Sequence, residues 1–232
     1  MSFYGIIGLV LFVICFLLSL KVYYDHKGKK TYTNFTKFIV RVAIFGAIST
    51  VLYVVPFFKF PIPIFPSFLE FHFDEIPAFI AGFAYGPLSA VGVIVVKTII
   101  KLPFTTTLTV GEISDLLFST AFIVPATLIY KHHRKFSGAL IGLLVGTIFQ
   151  MIIAVVGNIY IMIPFYGAVF GLSEESILYL CRLANPNITN VGWSYGLMAV
   201  LPFNAIKDGI VIVVTILVYK SMHRFIDRLQ SN

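Results

Sequence analysis

Uncharged stretches longer than any soluble fold tolerates dominate this chain. No Asp, Glu, Lys or Arg occurs in the 38 residues from Phe136 to Ser173, in the 21 between Glu75 and Lys97, or from Phe3 to Leu20. A spanning helix needs about 20 apolar residues, and a backbone inside lipid must satisfy its own polar groups, which a helix does. Charged residues make up 12% of the 232, about half the ~25% of a soluble domain. The expected class is an all-α integral membrane protein. Cys15 and Cys181 offer neither a disulfide framework nor metal-ligand spacing.

The net charge of +7 is not a nucleic-acid signature, because it is divided into short basic clusters beside apolar runs. Lys21 to Arg41, Lys131 to Lys135 and Lys220 to Arg228 carry the pattern of cytoplasmic loops. The first apolar run is followed, not preceded, by its basic residues, unlike a signal peptide. Residues 1–24 therefore read as an additional N-terminal transmembrane helix with its extreme N-terminus outside. Residues 25–41 read as a basic cytoplasmic linker, and 42–232 as a six-helix membrane domain with both ends cytoplasmic.

Within that domain a first helix is expected over 42–58, where Ala43, Gly46, Ala47 and Ser49 form a small-residue patch suited to close helix approach. Lys59 to Pro77 follows, with Pro61, Pro63 and Pro66 forcing extended backbone. It reads as a stiff apolar loop folded back over the helix ends. Gly86-Pro87 then favours two short helices, 70–85 and 87–100, over one long one, since proline suits a first helical turn. The split also returns the Lys131 cluster to the cytoplasmic side. A helix over 111–130 is bent by Pro125. The next carries Gly138, Gly142 and Gly146 on one packing face and ends at Ile163-Pro164. A long outer loop over 167–193 and a last helix over 194–219 complete the reading.

Few polar groups interrupt these helices. Glu112 and Asp115, three apart, share a face near the outer surface, where they either bind a cation or sit at a wet helix start. Asn158 is deep enough to need a partner, helix or ligand. Asn204, Lys207 and Asp208 interrupt an apolar helix; Lys207 contacts a ligand or forms a structural ion pair with Asp208. His72 and Asp74 reach a metal site only with ligands from elsewhere, which leaves a membrane enzyme as a remote reading. There is no Walker A, HExxH, GxSxG or CxxC sequence, so no ATPase or common hydrolase chemistry is indicated. No catalytic residue, metal or cofactor is expected.

The blocks PSFLEFHFDEIPAFIAGFAYGP, GEISDLLF, GNIYIMIPFYG and LPFNAIKDG together resemble the riboflavin-specific substrate-binding subunits of energy-coupling factor (ECF) vitamin transporters, over about Lys37 to Leu229. The resemblance implies a bacterial cell-membrane protein with a six-helix core. It also implies partnership with a transmembrane coupling subunit and two cytoplasmic ATPases, with riboflavin as transported ligand. Ala43 and Ala47 match the family's coupling-subunit contact. The resemblance makes Asn158 and Lys207 the polar vitamin contacts, and the expected pocket adds Phe60, Phe65, Leu69 and Glu70 from the loop region with Asp115 and Asn204. Val155 stands where flavin binders often have Asn, Asp115 where Asn is common and His72 where Asp is common. A flavin nucleotide or another small vitamin is thus the alternative ligand.

Overall fold

A computed structural model describes residues 32–105 and 107–231, with side chains between 35 and 221. The expected N-terminal helix over 1–24 lies outside the described residues. Helix α1 is Tyr32–Val54, followed by a 3-10 turn at Pro56–Phe58 and a two-stranded hairpin, β1 (Phe60–Pro61) and β2 (Glu70–Phe71). The strands are antiparallel, with Phe60 opposite Phe71 and Pro61 opposite Glu70. Next come α2 (Glu75–Tyr85), α3 (Pro87–Lys101) and α4 (Val110–His132). Helix α5 (Phe136–Phe170) contains a π turn at Asn158–Met162, and α6 is Glu174–Ala184. Helix α7 begins at Trp193–Tyr195, widens into a π turn at Gly196–Val200 and continues over Leu201–Ser231.

Five of these segments, in α1, α3, α4, α5 and α7, are long and apolar enough to cross a membrane. Helix α2 has eleven residues and a length of about 16 Å at ~1.5 Å per residue, roughly half a ~30 Å hydrocarbon core. It nevertheless occupies the centre of the bundle and touches α1, α3, α4 and α7. Every residue from Glu75 to Ala84 is buried, so the helix can begin at depth only because protein surrounds its start. The hairpin and the segment to Asp74 supply the remaining path, with irregular backbone shielded as an apolar interior requires.

The chain breaks at Gly86 as the sequence predicts. Gly86 has φ of 97° and Pro87 occupies the first turn of α3, a conformation open to glycine and closed to most residues. Other boundaries differ. Helix α1 starts at Tyr32, so ten residues of the expected linker are helical. The small-residue patch also splits: Gly46 packs on Val96 and Ser49 donates to the Asp74 carbonyl at 2.5 Å, whereas Ala43 and Ala47 face outward. The turn at Ile163-Pro164 does not end α5, since proline at the first turn after a π turn costs no further donor. Part of the expected outer loop is helix α6. Ser173 caps it by accepting from the Ser176 amide at 3.2 Å, and Ile177 and Cys181, four apart, bury one face.

Helices α4 and α5 approach closely along the glycine face. A Cβ at Gly142 would lie 2.5 Å from the Ala126 carbonyl oxygen, and one at Gly146 would run into that of Phe122. Backbone cannot step aside as a flexible side chain can. Gly142→Ala and Gly146→Ala are each expected to destabilise by about 1–3 kcal/mol, despite alanine's better helix propensity. Gly209→Ala, with nothing within 4 Å, is expected to be neutral or stabilising by up to ~1 kcal/mol. Unfolding of the purified variants in detergent measures both, and equal stability of all three would overturn the packing account.

Candidate binding site

The start of α2 carries an unusual density of buried charge. Asp74 is fully buried and accepts from His72 Nδ1 and from Lys97 Nζ on α3. Lys97, also fully buried, lies 2.9 Å from Asp115 Oδ2 on α4 and donates to Ser119 Oγ at 3.0 Å. His72 Nε2 lies 3.6 Å from Asp115 Oδ1. Glu75 Oε1 accepts from Lys207 Nζ on α7 at 2.6 Å. The Tyr53 ring of α1 covers the group, 4.9 Å from the His72 ring and 5.1 Å from Lys97 Nζ. Four helices, α2, α3, α4 and α7, thus meet through ionic contacts, and breaking a buried pair from one side costs about 3–5 kcal/mol.

Three carboxylates (Asp74, Glu75, Asp115) face two ammonium groups (Lys97, Lys207) and the His72 imidazole within this layer.

Above this layer lies a cavity of about 130 Å³ roofed by the hairpin. Apolar walls come from Tyr53, Phe68, Leu69, Phe118, Met162 and Phe203. Polar groups come from Asn158, Asn204, Lys207, Asp115, Glu112 and Glu70. The two π turns sit beside it. Asn158 opens one, donating to the Ala154 carbonyl at 2.9 Å and accepting from Tyr195 OH at 3.1 Å. Asn204, just after the other, accepts from Gln150 Nε2 at 2.7 Å and donates to the Val200 carbonyl at 2.8 Å. Such local widening re-aims side chains and is frequent at functional sites.

Of the eight residues expected at the site, Leu69, Glu70, Asp115, Asn158, Asn204 and Lys207 converge on this cavity. Phe60 and Phe65 do not. Phe60, half exposed, stacks on the buried Phe71, and Phe65, in the loop between the strands, packs edge-on against Phe203 in the core. Strand pairing decides the first, because Phe60 shares a face with Phe71 and alternate residues such as Glu70 point to the opposite one. Lys207 pairs with Glu75 rather than Asp208, whose two carboxylate oxygens are buried without a hydrogen-bond partner among the described residues. Glu112 accepts from Thr105 Oγ1 at 2.8 Å and Thr107 Oγ1 at 3.2 Å, tying down the loop before α4.

Lys97 lies outside the set of residues expected at the site, although a lysine within an apolar helix is the same signal that marks Lys207. His72, Asp74 and Glu75 have ligand atoms within 4.8 Å of one another, yet their charge is already met by two lysines. A dication there would have to displace buried ammonium groups.

The family description "ECF transporter, substrate-specific component" matches residues 37–219. The riboflavin transporter RibU of Staphylococcus aureus (strain TCH60) is 30% identical over 189 residues, 82% of this chain and 93% of that protein. The riboflavin transporter FmnP of Bacillus subtilis (strain 168) is 24% identical over 197 residues, 83% of this chain and 97% of that one. A solved S component of a bacterial ECF transporter superposes with a TM-score of 0.64 at 27% identity, covering 82% of this chain and 97% of that one.

Proposed function

The chain belongs to the substrate-specific components of ECF transporters, and on that premise we propose that it captures riboflavin from outside the cell for import. Such a component is a transport subunit, not an enzyme. The observation that carries the ligand assignment is the cavity's composition. Tyr53, Phe68, Phe118 and Phe203 supply aromatic walls, and Asn158, Asn204 and Lys207 converge from α5 and α7. A rigid isoalloxazine ring with a polyol tail needs this combination of apolar walls and a few fixed polar groups. Both named relatives are riboflavin transporters. A cavity of 130 Å³ is smaller than the ~300–1,000 Å³ usual for such ligands, so loading requires the hairpin to lift or the two π turns to relax.

A flavin nucleotide is the second reading. It is favoured by Lys101, which lines the cavity, donates to the Phe104 carbonyl at 3.4 Å and has no ion pair among the described residues. Lys59 and Lys207 are engaged by Glu70 and Glu75, and carboxylates are as frequent in the lining as lysines. That balance favours the uncharged vitamin.

The topology follows the charges. Arg41, Lys131, Lys135 and Lys220 gather at one end of the bundle, and Glu70, Glu112 and Glu174 at the other. The basic end is cytoplasmic. The core has six crossings, with α2 and its hairpin serving as one. The protein works with a transmembrane coupling subunit and two cytoplasmic ATPases, which explains the missing P-loop. Ala43 and Ala47, exposed on α1, form the coupling contact.

Purified protein is expected to quench riboflavin fluorescence at low micromolar concentration, with riboflavin outcompeting its phosphate ester. No binding by folded protein would remove the vitamin assignment, and tighter binding of the ester would reverse the order. Lys207→Ala is expected to weaken binding tenfold to a hundredfold, since a charged hydrogen bond is worth roughly 1.5–3 kcal/mol. It also strands Glu75, so ligand-free stability falls. Lys207→Met with Glu75→Gln is expected to regain stability but not affinity; full affinity in that double variant would make Lys207 purely structural.

Tryptophan at Ala43 or Ala47 is expected to abolish co-purification with the coupling subunit and leave flavin affinity near normal, because bulk blocks close helix approach. Normal yield of complex from the variants would sink that contact.

A further inference from the structure

A second cavity, of about 300 Å³, opens at the basic end of the bundle. Its walls are Phe38 and Arg41 of α1, the α2–α3 turn from Gly82 to Ser89, Tyr130 and Lys131 of α4, and Arg134 just beyond. The α2–α3 turn needs glycine at Gly86 for its φ of 97° and opens onto this space, where an added Cβ would meet nothing within 4 Å. Helix α2 ends and α3 begins there, so their dipoles oppose one another. Side chains therefore set the potential, and three of those lining the cavity are cations while none is a carboxylate.

Arg41 is held in position, its guanidinium 4.2 Å from the centre of the Tyr85 ring. A stacked guanidinium keeps its N–H edge for two oxygens of a carboxylate or phosphate. Height in the bundle narrows the ligand further. Arg41 lies in the first turns of the apolar segment Phe35–Val54 and Lys131 at the end of Val110–His132, so the cavity sits where hydrocarbon gives way to headgroups. Phe38, Phe83 and Leu88 give it an apolar wall that a free phosphate would leave unused. Exposed Phe35 and Ile39 extend that wall outward along α1.

We propose that this cavity binds the headgroup of an anionic phospholipid. The phosphate is held by Arg41, Lys131 and Arg134, and the acyl chains lie against α1. Basic pockets between membrane helices take such headgroups, and the site is independent of the vitamin cavity at the opposite end.

The test uses purified, lipid-depleted full-length protein offered phosphatidylglycerol or phosphatidylcholine, with retained lipid counted by native mass spectrometry. Wild type is expected to retain phosphatidylglycerol at least about tenfold over phosphatidylcholine. Arg41→Gln, Lys131→Gln and Arg134→Gln combined are expected to remove that preference. A control combining Lys37→Gln, Lys135→Gln and Lys220→Gln, an equal charge change at the same end, is expected to keep it. Elution volume and helical circular dichroism establish folding; if the triple variant does not fold, single Lys131→Gln and Arg134→Gln, each expected to lower retention severalfold, decide the matter. Equal retention of the two lipids, equal loss in the control, or binding only of an acidic peptide would overturn the proposal. Displacement of the lipid by millimolar glycerol phosphate, which then binds alone, would reassign the site to a soluble phosphate.

Discussion

The buried carboxylate of Asp74 is the contact on which the remaining structure depends. It sits where the hairpin ends and α2 begins, without access to water, and its charge is tolerable only because His72 and Lys97 both reach it. Lys97 in turn brings α3 against Asp115 of α4, while Glu75, the next residue, brings in α7 through Lys207. Lipid offers no hydrophobic drive between helices comparable to that in water. Directional ionic contacts therefore hold the helices in one arrangement, and replacing any single member would strand its partner in a medium that cannot solvate it.

This network is also the floor of the candidate vitamin site. Its groups satisfy one another, so the cavity above presents few uncommitted charges, and its polar contacts are amides and the shared ammonium of Lys207. Asn158 and Asn204 are each bonded within their own helices or to a neighbour. A ligand must share or replace those bonds. Asn158 opens one π turn and Asn204 donates to Val200, the last residue of the other; such turns leave backbone less regularly paired and so easier to adjust.

The short helix α2 links the two ends. It starts among the ionic contacts and finishes at Gly86, beside Arg41 and Lys131. Because it is buried all round, a shift at its first turn cannot be absorbed by lipid and must be carried by α1, α3, α4 or α7. Close packing makes such a core respond as a unit. Helix α1, like α3 and α7, also carries an exposed apolar outer face, at Ala43, Ile44, Ala47 and Ile48.

Membrane residence, helical class, the break at Gly86 and the side on which basic residues collect were all legible in the sequence. Each follows from a local quantity: run length without charge, proline and glycine chemistry, or the sign of flanking charge. Asn158, Asn204 and Lys207 stood out for the same reason, as polar groups that apolar surroundings make costly. Partners were not legible. Lys207 lies beside Asp208 in sequence yet pairs with Glu75, 132 positions away, because a helix turns adjacent residues to different faces. Phe60 and Phe65 read as pocket walls, but strand pairing and the fold of the loop turned both away. Helix α6 was hidden within a polar loop because its buried face is only Ile177 and Cys181. Tertiary packing alone decided which of these groups meet, since in each case the partner comes from a distant part of the chain.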